Sequence, residues 1–344
     1  MTPDNLTAPP ASDPTLLYRY RDAMYAADML IVGLHLDLFT RLAWQPSTEP
    51  EICAAFDLTP RPTDVMLTLF SAMGLLERTG DVYELTRTGR EHLVKESPWY
   101  LGPYYPRLED RPIARDLLTV LRTGKPANWG THQANQDWHK AMEREDLAAS
   151  FTSAMDCRGI YLSQAVAQTV DLRPHRHLLD IAGGSGIYAC VLAAHYPGLR
   201  ATVLEKPPVD RIAAAAIAKR GTGDRVSVIA QDMLADPLPG FADVHLFSNV
   251  LHDWDAPVVT ELLEKSFAAL PPGGLVVIHD AFLNAAKTGP LHVAEYSVLL
   301  MHASEGRCYS TAEMEGYLGG VGFVEPHYTE GAAARGVMTA RKPL

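Results

Sequence analysis

Apolar and polar positions change period twice near the middle of the chain, and the change predicts a strand, a helix and a second strand. His177–Ile181 is a short apolar run typical of a buried strand. After several glycines, a helical pattern covers Ile187–Tyr196, and a second strand-like run, Arg200–Leu204, ends at the acid Glu205. One βαβ unit with a glycine-rich turn is therefore predicted here.

The alternation of strand and helix patterns continues almost to the C-terminus. Further strands are predicted at Val226–Asp232, Ala242–Val250 and Leu275–Ala281, and helices at Val209–Lys219 and Ala256–Leu270. The last two apolar runs, Phe323–Thr329 and Val337–Arg341, are joined only by a glycine- and alanine-rich turn, which predicts a hairpin. The expected fold is α/β, a Rossmann-like, doubly wound sheet with a C-terminal antiparallel hairpin.

Helical patterns dominate upstream of the sheet. From Leu16 to Leu42 apolar residues recur at helical spacing, and Met29–Leu38 is apolar on more than one side, so we expect a second subunit to cover it. Two short helices, Pro50–Phe56 and Arg61–Met73, and a hairpin over residues 75–85 complete a winged-helix pattern. The candidate recognition helix carries one acid and no base, whereas a DNA reader needs basic or amide side chains. Packing or dimerisation is therefore favoured over DNA binding.

Between these parts lies a segment rich in aromatic residues and prolines, followed by a long amphipathic helix over Leu147–Val170. This segment is predicted to wall an aromatic substrate, with Met155 among the substrate residues, and ordinary core packing is the alternative. The predicted domains are a disordered leader (1–14), a winged-helix-like dimerisation domain (15–97), a helical linker and substrate-wall segment (98–172) and a catalytic domain (173–344).

Composition narrows the possible partners. The chain has 344 residues and a net charge of −11, which makes nucleic acid an unfavourable partner. Four scattered cysteines without CxxC spacing argue against a zinc site and for a reducing, cytoplasmic location. The longest apolar runs are far short of a bilayer, so no membrane partner is expected.

The glycine-rich turn predicts a nucleotide-like ligand. Without Cβ atoms at Gly183, Gly184 and Gly186, the backbone can turn sharply and a ligand can lie against it under the positive end of the helix. Glu205 is placed to accept hydrogen bonds from a ribose diol. The spacing also fits the dinucleotide fingerprint, but Asp180 would repel a pyrophosphate and can receive the ammonium of a methionine moiety. A βαβ turn that binds no ligand is the alternative interpretation.

Residues after the third and fourth strands complete the candidate site. Asp232 and Met233 offer an acceptor for an adenine amino group and an apolar side chain to lie on the ring. His252 follows the fourth strand, where open α/β sheets bind ligands, and its imidazole can take the proton of a phenol. Asp280, at the end of the fifth strand, is the best orienting acid, whereas Asp253 is expected to point elsewhere. A satisfied structural histidine is the alternative.

Four motifs identify a family resemblance. They are DIAGGSG at Asp180–Gly186, LEKPPV at Leu204–Val209, QDML at Gln231–Leu234 and LHDWD at Leu251–Asp255. With them the chain resembles, over nearly its whole length, the caffeate and acetylserotonin type of S-adenosylmethionine-dependent methyltransferase, a family that includes many bacterial tailoring enzymes.

The resemblance implies S-adenosylmethionine as cofactor, an intertwined homodimer, a role in secondary metabolism such as antibiotic biosynthesis, and His252 as the base that deprotonates an aromatic hydroxyl. It further implies that Leu299 and Ala303 lie near the substrate. The residues that it places around the cofactor are Gly184, Glu205, Asp232, Met233 and Ser248.

Departures from the family pattern leave the chemistry open. Ala182 replaces a usual glycine, Ser248 stands where many members have lysine, and Cys308 takes the place of the second acidic partner of the histidine. A neutral thiol cannot stabilise an imidazolium as a carboxylate does, so either His252 is a weaker base or Asp280 orients it alone. O-methylation is expected, methylation of a phenol ring carbon is the first alternative, and a non-catalytic S-adenosylmethionine-binding protein is the second.

Overall fold

The chain forms two compact units. The computed structural model describes residues 6–8, 10, 12–127 and 142–344. We call residues 142–282 and 311–344, with the described residues before 17, the sheet unit, and residues 17–127 and 283–310 the helical unit. The sequence-based division placed residues 283–310 with the catalytic domain, whereas they pack with the N-terminal helices.

Seven strands form the main sheet of the sheet unit. They are β4 (His177–Ile181), β5 (Arg200–Glu205), β6 (Val226–Ala230), β7 (Val244–Ser248), β8 (Leu275–Asp280), β9 (Val324–Glu330) and β10 (Gly336–Arg341). Their order is β6-β5-β4-β7-β8-β10-β9, parallel except for β10, which pairs antiparallel with both β8 and β9. The predicted doubly wound sheet with a closing hairpin is confirmed.

Helices of the sheet unit alternate with these strands. They are α8 (Glu145–Thr169), α9 (Ile187–His195), α10 (Val209–Arg220), α11 (Ala256–Ala269) and α13 (Thr311–Val321). Every residue from Ile187 to Ala193 of α9 is buried, which explains the nearly continuous apolar sequence of this helix. The side chain of Asp255 accepts a hydrogen bond from the Ala256 amide (2.8 Å), as expected of an N-cap before α11.

The helical unit contains the predicted winged-helix elements. Its helices are α1 (Thr15–Asp22, from residue 17 on), α2 (Ala26–His35), α3 (Leu38–Trp44), α4 (Glu49–Phe56), α5 (Pro60–Ala72), α6 (Arg87–His92), α7 (Pro112–Thr123) and α12 (Leu291–Ala303). Short strands β1 (Ser47–Thr48), β2 (Leu76–Thr79) and β3 (Val82–Leu85) pair in the order β1-β3-β2. Helix α12 is buried on nearly all sides and packs on α5, which explains why it belongs to this unit.

Three N-terminal expectations differ from the structure. The helix predicted over Leu16–Leu42 is broken by a 3₁₀ turn at Ala23–Tyr25 and by Asp37, whose φ of 58° lies in the left-handed region. Met29, Ile31 and Val32 of α2 are buried within the chain itself, so their apolar character does not require a second subunit. Leu6, in the stretch predicted to be a disordered leader, is fully buried as well.

No single helix among the described residues is long and apolar enough to cross a membrane. One bent pair, Thr15–His35 with Leu38–Trp44, reaches the required length and composition when its two parts, inclined at 55°, are taken together. Residues 128–141, which include part of the predicted substrate-wall segment, lie outside the described residues.

Candidate active site

The glycine loop, residues 182–186, joins β4 to α9 at the carboxyl edge of the sheet. Gly184 and Gly186 have φ values of +59° and +73°, which favour glycine. A Cβ on Gly183 would lie 2.5 Å from the Asp180 carboxyl carbon, whereas a Cβ on Gly184 would meet nothing within 4 Å. Ala182 adopts a left-handed φ of 52°, a conformation that costs a non-glycine residue energy. The loop therefore packs tightly on one side and leaves its backbone at Gly184 accessible.

Glu205 extends from the end of β5 to this accessible backbone. Its Oε1 accepts a hydrogen bond from the Gly184 amide (2.9 Å), and its Oε2 accepts one from the Lys206 amide (3.2 Å). Burial raises the pKa of Glu205 to about 7. The carboxylate is thus beside the glycine loop, where the sequence placed it, and its bond to a ribose diol stays a prediction.

Asp180 lies beneath the glycine loop rather than on an open surface. Its side chain is fully buried, and Oδ2 accepts a hydrogen bond from the Ala189 amide (3.3 Å) in the first turn of α9. The other oxygen, Oδ1, has no hydrogen-bond partner among the described residues, and burial raises the pKa of Asp180 to about 7. An ion pair between Asp180 and a methionine ammonium stays a prediction.

Asp232 and Met233 lie in the turn that follows β6. The Asp232 amide donates to Asp236 Oδ2 (3.0 Å), and Asp232 Oδ1 accepts from the Leu234 amide (2.9 Å). Lys265 of α11 donates through Nζ to the Met233 carbonyl (3.1 Å) and to the Leu234 carbonyl. These bonds fix a turn in which both predicted adenine contacts are half-buried.

His252 and Asp280 form a buried pair at the ends of adjacent strands. A 3₁₀ turn over Leu251–Asp253 follows β7 and places His252 Nδ1 2.5 Å from Asp280 Oδ1. Both side chains are about 5% exposed. Burial alone raises the pKa of Asp280, but the charge and hydrogen bond of His252 outweigh it, so the net pKa is lowered. An ionised Asp280 requires Nδ1 to donate, which leaves Nε2 as the basic nitrogen.

A polar network beside this pair was not predicted from the sequence. Ser248 Oγ lies 3.0 Å from His279 Nδ1, and Asn249 Nδ2 donates to Tyr188 Oη (3.2 Å) and to Ser248 Oγ (3.2 Å). Burial lowers the pKa of His279 to about 3, so this imidazole is neutral. Polar residues at the ends of two otherwise apolar strands were the available signal. The Ser248 hydroxyl therefore has protein partners, and its contact with the cofactor stays a prediction.

The predicted substrate residues are distributed over both units. Met155 is half-buried on α8 of the sheet unit. Leu299 and Ala303 lie one turn apart on α12 of the helical unit, and Cys308 follows in the same unit, fully buried, with its amide donating to Ser297 Oγ (3.1 Å). Within the sheet unit, the structure gathers the predicted cofactor residues and His252 along the carboxyl ends of neighbouring strands.

These features fit a nucleoside ligand with an amino-acid tail. Gly184 offers an open cradle, Glu205 offers a carboxylate beside it, and Asp180 Oδ1 is a buried acceptor without a partner among the described residues. In the same described part of the chain, no group of three His, Cys, Asp or Glu side chains is placed to hold a metal ion.

Comparison with known proteins identifies the family. Residues 115–324 match the family of O-methyltransferase domains. The chain belongs to this O-methyltransferase family. It is a methyltransferase that depends on S-adenosylmethionine, as the sequence motifs implied, and S-adenosylmethionine is its cofactor.

Similar proteins include three that cover most of this O-methyltransferase. A 3-hydroxy-5-methyl-1-naphthoate 3-O-methyltransferase of Streptomyces sahachiroi is 30% identical over 93% of this chain and 92% of its own. The tetracenomycin polyketide synthesis 8-O-methyl transferase TcmO of Streptomyces glaucescens is also 30% identical, over 93% and 94%. A crystal structure of an O-methyltransferase family 2 protein from Planctomyces limnophilus, in complex with apigenin, is 32% identical, covers 98% of each chain and has a TM-score of 0.89.

Proposed function

We propose that this enzyme transfers a methyl group to the hydroxyl oxygen of a small aromatic acceptor, with His252 as the base. The observation that carries the proposal is the 2.5 Å contact between His252 Nδ1 and the buried carboxylate of Asp280. Because Asp280 holds the Nδ1 proton, Nε2 is the nitrogen that can accept another. The hydroxyl of a phenol is acidic enough to give its proton to such a base.

The protein's part in the reaction is to move and stabilise one proton. The acceptor hydroxyl gives its proton to His252 Nε2, and Asp280 stabilises the imidazolium that forms. Asp253 Oδ1, 3.8 Å from Nε2, adds a second negative charge nearby, although the sequence led us to expect this side chain to point elsewhere. When bound, S-adenosylmethionine supplies an electrophilic methyl carbon, so that an oxygen–carbon bond forms as the sulfur–carbon bond breaks.

Residues at the carboxyl edge of the sheet are proposed to hold the cofactor. The backbone at Gly184 and the Glu205 carboxylate are suited to the ribose, since both present polar atoms beside the open face of the glycine loop. Asp232 and Met233 are proposed to contact the adenine. The remaining proposed cofactor residues are Asp180, Gly183, Gly186 and Ser248.

Names of similar proteins support an aromatic acceptor from secondary metabolism. Two are named for a naphthoate and for tetracenomycin polyketide synthesis, and a third was crystallised with apigenin. Met155, Leu299, Ala303 and Cys308 remain the residues predicted to contact the acceptor.

Methylation of a ring carbon is the second candidate. A phenolate is also a carbon nucleophile at its ortho position, so the same base and cofactor serve both reactions. One relative, 29% identical over 87% of this chain, is an L-tyrosine C(3)-methyltransferase of Streptomyces lavendulae. Rotation of the acceptor relative to the methyl donor decides between the two.

The test is a mass-resolved screen of aromatic acids, amino-acid-derived phenols and polyketide phenols with a labelled methyl donor. Transfer to oxygen is expected to give a labelled ether, and chemical ether cleavage should remove the label. A label that resists cleavage marks carbon methylation.

His252→Ala should lower kcat by about two to four decades, the usual range for a general acid or base, with the dissociation constant of S-adenosylmethionine little changed. His195→Ala, at an exposed position, is the control. Wild-type rates in His252→Ala would contradict the assignment.

We further propose that the enzyme is a cytoplasmic homodimer. The exposed apolar side chains of the helical unit support an interface, because Leu17, Tyr20 and Trp44 are each more than 70% exposed. No disulfide joins the four cysteines, all of which lie in the described part of the chain, and this supports a reducing compartment.

A further inference from the structure

Asp156, on α8, makes a polar cluster with the glycine loop. Its Oδ1 accepts hydrogen bonds from the Ser185 hydroxyl and from the Arg220 guanidinium at the end of α10. Arg220 also donates through a second nitrogen to the Ser185 carbonyl (3.3 Å). We call these three residues the Asp156 clamp. The clamp links the Ser185 hydroxyl to α8 and the Ser185 carbonyl to α10.

Burial makes this cluster different from a surface ion pair. The Arg220 side chain is 7% exposed, the whole Ser185 residue is 4% exposed, and the Asp156 side chain is 32% exposed. A guanidinium buried to this degree needs an anionic partner, because removing it from water without one is costly. Asp156 is that partner. The ion pair therefore has a fixed geometry, which surface pairs in water rarely have.

The position of Ser185 gives the clamp its consequence. Ser185 stands between Gly184 and Gly186, both in left-handed backbone conformations that place few steric limits on a glycine. The Gly184 amide is the group that donates to Glu205. Without an anchor at Ser185, the glycines on either side of it would sample many conformations, and the Gly184 amide would lose its orientation.

Helix α8 also supports the start of α9, directly after the loop. A Cβ on Gly159 would lie 2.5 Å from Ile187 Cγ2, so the two helices touch there closely enough to require glycine. Asp156 and Gly159 are three residues apart and thus lie on the same face of α8. One face of α8 therefore contacts both Ser185 in the glycine loop and Ile187 at the start of α9.

We propose that Asp156 and Arg220 are positioning residues that hold the glycine loop in the shape that binds S-adenosylmethionine. They act through Ser185 and do not touch the reacting atoms. The proposal rests on the proposed role of the glycine loop in cofactor binding. Loss of the clamp should weaken cofactor binding and leave the turnover number at saturating cofactor within about twofold, because the base and its carboxylate are unchanged.

The test compares Asp156→Asn with Glu145→Gln. Glu145 of α8 and Arg211 of α10 form an exposed ion pair (2.6 Å) between the same two helices, so Glu145→Gln removes a link between the helices without touching the loop. Asp156→Asn should raise the dissociation constant of S-adenosylmethionine by about tenfold or more in calorimetry, the effect of one charge-assisted hydrogen bond. Glu145→Gln should leave it unchanged, and Asp156→Glu should recover part of the affinity.

A second readout does not depend on the cofactor. In the free protein, amide hydrogen exchange at Gly184 and Gly186 should accelerate in Asp156→Asn and stay at the wild-type rate in Glu145→Gln. Ser185→Ala, which removes only a hydroxyl, provides the same comparison if Asp156→Asn does not fold. Unchanged exchange, or an equal loss of affinity in Glu145→Gln, would overturn the proposal. Failure of the wild-type protein to bind S-adenosylmethionine would instead overturn the proposed function, and the exchange data would still decide the clamp.

Discussion

At the scale of single residues, Cys308 raises the question of which group orients His252. The sequence resemblance implies a second acid at this position, so orientation of His252 falls to Asp280 unless the Cys308 thiol contributes. Asp280 is buried, ionised and 2.5 Å from Nδ1, which is what an orienting carboxylate requires. The geometry of this pair supports Asp280 as an orienting partner of His252.

Paired substitutions test that interpretation. Asp280→Asn should lower kcat by about two decades or more, because an amide can present the wrong hydrogen-bonding group to Nδ1 and does not stabilise the imidazolium. Cys308→Ala should change kcat by less than about threefold. Steady-state rates at saturating cofactor, with melting temperatures as the control for folding, give the comparison. An equally large loss in Cys308→Ala would mean that the thiol takes part in the reaction.

The Glu205 carboxylate is expected to lower the stability of the cofactor-free protein while it strengthens the binding of S-adenosylmethionine. Burial raises its pKa from the ordinary 4.5 to about 7, so the folded protein without cofactor binds more protons than the unfolded chain between these values. Ionisation of such a group lowers the free energy of unfolding as pH rises from about 4.5 to 7. Above pH 7 the full decrease has been reached. The charge is thus retained at a cost in stability.

Glu205→Gln removes this charge while keeping the side chain's shape. At pH 8 the free variant should be more stable than the wild type by about 1 to 3 kcal/mol in denaturant titrations, and the difference should fade towards pH 4.5. Its affinity for S-adenosylmethionine should nevertheless fall, because an amide accepts ribose hydrogen bonds less well than a carboxylate. Equal stability at pH 8, or unchanged affinity, would show that the carboxylate is solvated or that the ribose lies elsewhere.

At the scale of elements, local patterns predicted the sheet well because each strand is bounded by strong signals. β4 runs from His177 to Ile181 as predicted, since a glycine-rich turn begins two residues later, at Gly183. The N-terminal helix was less predictable. A left-handed residue, Asp37, and a 3₁₀ turn interrupt an apolar pattern that shows no proline or glycine at either break. Tertiary packing decides where such breaks occur, and the hydrophobic periodicity of the sequence gives no information about that packing.

Side-chain partners were the least predictable part of the candidate site. The pairing of His252 with Asp280 followed from both lying at the ends of parallel strands, whose carboxyl ends meet at one edge. The Asp156 clamp did not follow, because Asp156 lies in the middle of a long helix and Arg220 lies 64 residues away, with no motif to connect them. Contacts of this kind depend on how helices pack on a sheet, which a single sequence does not specify.

At the scale of the whole molecule, the exposed surface of the helical unit concerns assembly. Within that unit, α2 and α12 are covered by the chain itself, so the apolar surface that needs another partner lies elsewhere. Leu17, Tyr20, Met24 and Trp44 are 74%, 76%, 53% and 77% exposed. Four large apolar side chains exposed at the start of one unit indicate a surface that a second copy of the chain can bury.

This surface predicts a dimer that a charge can dissociate. The wild type should sediment at about twice the chain mass of 37.7 kDa. Leu17→Glu combined with Tyr20→Glu should shift the equilibrium towards monomer, because a carboxylate buried in an apolar interface lacks a partner. Phe241→Glu, at a 49% exposed apolar position of the sheet unit, is the matched control and should leave the mass unchanged. A wild-type protein that sediments as a monomer across the micromolar range, or a dimer that the double variant leaves intact, would show that these side chains face solvent and that the predicted interface is not built from them.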